Sequence, residues 1–164
     1  TESDYLATIT RKTARLFESS ARLGAVVAEA GPATEQALGE YGLNLGIAFQ
    51  MIDDALDYSA TAEQMGKNTG DDLSDGKTTL PLIYALDQCS SDERDIISES
   101  ISEGKRDDLD QIKQIIESTG ALAYTSDQAK KHAAIARQSL DGLPVSEYRT
   151  ALAQLADFSV SRTF

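Results

Sequence analysis

Asp53, Asp54 and Asp57 stand in the order Asp-Asp-x-x-Asp, with Gln50 one helical turn before them. Between residues 41 and 58 only Gly42 and Gly46 disfavour a helix. At about 100° per residue, the four polar side chains fall within roughly 100° of one another. Phe49, Ile52, Ala55 and Leu56, with Leu45 and Ala48 a turn earlier, cover most of the remaining circumference. That is the pattern of a buried helix. Carboxylates withdrawn from water repel one another, and their pKa values rise. A cation resolves the conflict. Hard oxygen ligands on short stems suit Mg²⁺, which is held through one or two carboxylates plus water and phosphate. The competing reading is a solvated helix face, because a chain with 27 Asp and Glu produces such spacing by chance.

The residues after this helix weigh against chance. Gly66-Lys67 and then Gly70-Asp71-Asp72-Leu73-Ser74-Asp75-Gly76-Lys77 place lysines in an acidic, glycine-rich stretch, so residues 59–77 read as a long loop. Carboxylates that hold Mg²⁺, and lysines that neutralise phosphate, together suit a diphosphate. Departure of a diphosphate builds negative charge on the bridging oxygen, which such groups stabilise. Two other readings fail. An EF-hand beginning at Asp71 would have Leu73 at its third position and Leu82 where a Glu is required. No upstream Gly completes a P-loop at Gly66-Lys67. Asp71, Asp72 and Asp75 repeat the Asp-Asp-x-x-Asp spacing, but in the loop, and read as supporting residues.

The elements that must position these groups are helical. Residues 2–30 read as one helix with Tyr5, Leu6, Ile9, Thr13, Leu16 and Phe17 recurring at helical spacing. Pro32 opens the central helix. Further helices are expected at 80–89, 93–102, 109–118, 121–140 and 146–160, the last with Tyr148, Leu152, Leu155 and Phe158 on one face. No alternating strand pattern occurs. The fold class expected is all-α.

Composition narrows the partners. A net charge of −12 argues against a nucleic acid. No run approaches the ~20 apolar residues of a membrane span. The single Cys89 permits no internal disulfide, which points to a reducing, cytoplasmic setting. His132, beside Lys130 and Lys131, reads as a surface residue and not as a ligand. The chain lacks an initiator Met and opens directly into helical sequence, as a piece of a longer protein would.

The run from Phe49 to Asp57, then Gly66-Lys67, then Gly70 through Thr78-Thr79-Leu80-Pro81, closely resembles the second aspartate-rich region of trans-isoprenyl diphosphate synthases. Lys12-Thr13-Ala14 with Leu16-Phe17 is similar to that family's upstream Lys-Thr motif, and Tyr148-Arg149 through Phe158 to Arg162 resembles its last helix. The greatest likeness is to bacterial long-chain polyprenyl diphosphate synthases that make quinone side chains.

The resemblance implies an isoprenoid-synthase helical bundle, a Mg²⁺ cofactor, and a homodimer. Asp53 would ligate the metal directly, with Asp54 and Asp57 supporting it and Asp72 assisting the metal-water network. Lys12 and Lys67 would grip the allylic diphosphate, with Lys77 helping from the loop end. Thr13 and Gln50 would line the pocket where the allylic cation forms. Isopentenyl diphosphate would be the second substrate, in a head-to-tail condensation.

The departure from the family is large. Its first aspartate-rich motif, the following Arg pair and the basic residues for isopentenyl diphosphate have no counterpart here, and its chains run to ~300 residues. Residues 1–164 are therefore expected to be the C-terminal half of one polyprenyl synthase domain, inactive alone. The alternative is a non-catalytic half-domain that completes or regulates another prenyl synthase subunit. A terpene cyclase shares the metal and diphosphate logic, but the Gly-Asp-Asp-x-x-Asp-Gly-Lys loop favours chain elongation.

Overall fold

The computed structural model describes residues 1–59, 70–104 and 108–161. The described residues form helices and no strands: α1 (Glu2–Ile9), a π turn (Thr10–Ala14), α2 (Arg15–Val27), α3 (Pro32–Ser59), α4 (Asp71–Ser74), α5 (Leu80–Gln88), α6 (Ser91–Glu103), α7 (Leu109–Ser118), α8 (Ala121–Ser139) and α9 (Glu147–Ser159). The chain is all-α, as its periodicity predicts. No helix among the described residues is long and apolar enough to cross a membrane. The described residues fall into two compact units, one within 1–5 and 53–126, the other within 6–52 and 127–161.

The first unit has its core in Tyr58, Leu73, Leu82, Ile97, Ile112 and Ile116, with Ala85, Ile115 and Ala121. Its helices begin and end where local chemistry dictates. Pro81 sits in the first turn of α5, where its missing N–H costs nothing. Ser90 caps α6 through a reciprocal box with Glu93. Gly104, at φ 62°, closes α6 in the left-handed region. Ile112, Ile115 and Ile116 bury the apolar face of α7, as its spacing predicts.

The second unit closes on Tyr41, Leu45, Ala136, Leu140 and Ala156, with the Tyr41 hydroxyl donating to the Leu152 carbonyl oxygen at 2.9 Å. Burial holds the Tyr41 pKa up at about 12, so the phenol remains a donor. Gly42 and Gly46 do not break α3. They let it approach its neighbour: a Cβ on Gly42 would lie 2.5 Å from the Phe17 carbonyl oxygen, and one on Gly46 2.7 Å from Ala14 Cα.

Two sequence expectations are corrected in this unit. The single helix over 2–30 is interrupted by the π turn at Thr10–Ala14. A π turn closes i→i+5 bonds and so inserts one extra residue, which rotates everything after it by about 100°. Leu16 consequently faces out at 71% exposure, while Ala14 and Glu18 turn inward. Burial opposes ionisation of Glu18, but hydrogen bonds from Arg15 and Arg22 outweigh it and keep the carboxyl below its usual range. In α9, Tyr148, Leu155 and Phe158 are exposed. The inward stripe runs instead through partly buried Leu152 and Ala153 to buried Ala156 and Ser159, and the small Ala153, Ala156 and Ser159 permit close packing.

Candidate active site

In the first unit, the end of α3 presents Asp53 half-buried and Asp54 and Asp57 buried. The Tyr5 hydroxyl donates to Asp54 Oδ2 at 2.6 Å. Burial, and then the Asp54 carboxylate, push the phenol well above its ordinary pKa, so it stays a proton donor. Asp57 Oδ2 accepts the backbone N–H of Asp72 at 3.2 Å, and the Gly70 N–H donates to the Asp57 carbonyl oxygen at 3.1 Å. Burial raises the Asp57 pKa, the N–H of Asp72 partly offsets it, and the Asp72 carboxylate raises it again.

Asp72 in turn lies 2.9 Å from Lys77 Nζ, which also pairs with Asp75 at 2.8 Å. Those two carboxylates, Asp75 first, hold the ammonium above its usual pKa. Asp57, Asp72 and Lys77 thus form one connected chain of contacts. The expectation of a continuous loop over 59–77 is corrected for its described part. Residues 71–74 make the α4 turn, because Leu73 is fully buried in the core and draws the backbone in. Gly70 enters that turn at φ 79°, with Leu109 packed where a Cβ would go. Lys67 lies outside the described residues.

The second unit carries Lys12, Thr13 and Gln50. Lys12 is exposed and Thr13 half-buried, both on the π turn. Thr13 Oγ1 donates to Gln50 Oε1 at 2.8 Å, and Gln50 is buried. The meeting is prepared by the contacts before it, Gly42 against Phe17 and Gly46 against Ala14, which hold α3 beside the π turn until Gln50 reaches Thr13. Single-turn π bulges occur often at functional sites. His132 is not the surface residue its neighbours suggest. It is half-buried, with Nδ1 2.8 Å from Asn44 Oδ1. Asn44 Nδ2 donates to the Glu40 carbonyl oxygen, which turns Oδ1 to the imidazole. Burial lowers the His132 pKa.

Among the described residues no group of three or more His, Cys, Asp or Glu side chains is placed to cage a metal. Mg²⁺ does not require one, since it keeps several waters and takes one or two carboxylates with substrate phosphate. The donor set fits that mode. Protein donors hold Asp54 Oδ2 and Asp57 Oδ2, and Asp53 is the most accessible of the three.

The sequence matches the polyprenyl synthetase family over residues 1–119. The chain belongs to that family. It is 43% identical to octaprenyl diphosphate synthase of Haemophilus influenzae over 164 residues, which cover 99% of this chain and 50% of the relative. The Escherichia coli octaprenyl diphosphate synthase is 41% identical, with the same shares covered. The polyprenyl synthase of Caulobacter crescentus, solved in complex with calcium and isoprenyl diphosphate, superposes with a TM-score of 0.94 at 41% identity, covering 99% of this chain and 50% of that one. The chain therefore spans about half the length of the relatives it matches.

Two features of the candidate site were not legible in the sequence. Tyr5 gave no signal beyond its place on an apolar stripe 49 residues before its partner. Nothing in Thr10-Arg11-Lys12-Thr13-Ala14 marks a π turn, which depends on what α3 allows beside it.

Proposed function

We propose that this chain is the C-terminal half of a trans-polyprenyl diphosphate synthase that joins isopentenyl diphosphate to an allylic diphosphate. The reading is supported above all by the likeness to the Caulobacter protein, whose complex holds a hard divalent cation and an isoprenyl diphosphate. The Asp-Asp-x-x-Asp stripe on a buried helix is chemistry of the same kind. Octaprenyl relatives at 41–43% identity support a long-chain product of the quinone side-chain class. A cytoplasmic homodimer is part of this reading.

Asp53, with Asp54 and Asp57 in support, would hold Mg²⁺, which would supply positive charge to the leaving diphosphate. Lys12 and Lys67 bind the allylic diphosphate. Lys77 contributes when its pairs with Asp72 and Asp75 loosen, since such half-exposed pairs are worth only about 0.2–1 kcal/mol. As the allylic C–O bond breaks, its electron pair leaves with diphosphate. The oxygens of the Thr13–Gln50 pair present negative partial charge to the allylic cation. The double bond of isopentenyl diphosphate then forms the new C–C bond, and the released diphosphate takes the proton lost. No separate catalytic base is needed.

The test is product analysis. Protein carrying both halves, given an allylic diphosphate, isopentenyl diphosphate and Mg²⁺, should yield elongated prenyl diphosphates, and chelation should stop it. The 164 residues alone should yield none. No elongation by the two-half protein would overturn the functional reading, and elongation by the verified chain alone would overturn its division into halves.

A further inference from the structure

We propose that Tyr5 is a positioning residue of the metal and diphosphate site, fixing the orientation of Asp54 through the hydrogen bond at Oδ2. The inference rests on the functional reading above and goes beyond it by adding a residue outside every motif that suggested the site. Tyr5 and Asp54 belong to the same compact unit, although 49 residues separate them. Both are almost fully buried, at 6% and 4% exposure. A 2.6 Å bond from a phenol to a carboxylate in such surroundings is short and charge-assisted. The Asp72 and Asp53 carboxylates add to the effect of Asp54 on the phenol.

The chemistry explains the need. A carboxylate on a helix can rotate about its terminal bond and offer either oxygen to a cation. With Oδ2 committed to Tyr5, Asp54 meets an incoming cation in one orientation, and its two neighbours keep distinct tasks. Asp57 has the equivalent constraint from the Asp72 N–H. Asp53, half-buried, remains the most accessible carboxylate of the stripe. Hydrogen-bond partners of metal-binding carboxylates commonly change metal affinity by 10–100-fold when removed. Tyr5→Phe deletes this partner of Asp54 by a single isosteric change.

The experiment is Tyr5→Phe in the protein carrying both halves, with two readouts. One is the Mg²⁺ concentration giving half of the melting-temperature rise seen with excess inorganic diphosphate. The other is the Mg²⁺ dependence of prenyl transfer. Tyr5→Phe should raise both half-saturation concentrations about tenfold, while kcat at saturating Mg²⁺ falls by less than about threefold. Tyr5→Leu, which also removes ring packing, should lower the melting temperature further without moving the Mg²⁺ dependence beyond that of Tyr5→Phe. In an Asp54→Asn background, Tyr5→Phe should add less than twofold.

A Tyr5→Phe protein with the wild-type Mg²⁺ dependence would overturn the proposal, as would a dependence that tracks melting temperature across the Phe and Leu variants. A wild type that gains nothing from Mg²⁺ and diphosphate would overturn the functional reading, and this inference with it. That failure is recognisable because it requires no variant.

Discussion

Asp57 caps a turn that begins fourteen residues further along the chain: its Oδ2 accepts the N–H of Asp72, and its backbone carbonyl accepts that of Gly70. The third aspartate of the stripe therefore serves structure as well as charge. Because burial raises its pKa above the usual value of 3.8, the folded state binds the proton more tightly than the unfolded state. Its contribution to stability must fall as pH rises from 3.8 toward the folded value. Asp57→Asn keeps an acceptor for Asp72 and removes that slope. We expect it to match or exceed the metal-free stability of the parent at pH 7. Asp57→Ala, which loses the acceptor, should be about 0.5–2 kcal/mol less stable than Asp57→Asn. Urea unfolding at pH 4 and 7 checks both.

The contact of Gly46 with Ala14 predicts opposite outcomes for two glycines. Gly46→Ala forces a Cβ against backbone and should cost about 1–3 kcal/mol. Gly24, in the middle of α2 with nothing within 4 Å of an added Cβ, should tolerate alanine and gain about 0.4–1 kcal/mol. Equilibrium denaturation of the two variants settles the comparison. Equal effects would contradict the close approach of α3 to the π turn.

Thr13 and Gln50 should behave as a coupled pair. A double-mutant cycle with Thr13→Val and Gln50→Leu is expected to give a coupling of about 0.5–1.5 kcal/mol in stability. Additive effects would mean that the hydrogen bond is not made in solution.

Much of this was legible in the sequence, and the reasons are local. Ile112, Ile115 and Ile116 announce α7 and Pro32 announces α3, because apolar spacing and a helix-opening proline act within one helix. The Asp and Lys motifs were equally plain. What escaped depends on contacts across the fold. The π turn changes which residues of α2 face inward. The small side chains of α9 decide its buried face against the bulkier Tyr148 and Phe158. Tyr5 reaches Asp54 from far along the chain. His132 is half-buried although flanked by two lysines.

That histidine predicts an acid sensitivity. Burial depresses its pKa below the ordinary value of 6.5, so the unfolded state takes up the proton first. Stability from the neutral imidazole is fully present above 6.5 and declines as pH falls through and below it. Thermal melts at pH 5.5 and 7.5 should show a larger drop in the parent chain than in His132→Gln, which has no proton to gain. Equal drops would place the sensitivity elsewhere.

The most direct test of the central claim is a calorimetric titration of the protein carrying both halves with Mg²⁺ at fixed pH, with and without inorganic diphosphate. We predict saturable Mg²⁺ binding that strengthens with diphosphate and weakens at least tenfold in Asp53→Asn. Binding that is the same in Asp53→Asn as in the parent would contradict the assignment of the aspartate stripe as the metal-bearing wall of the site.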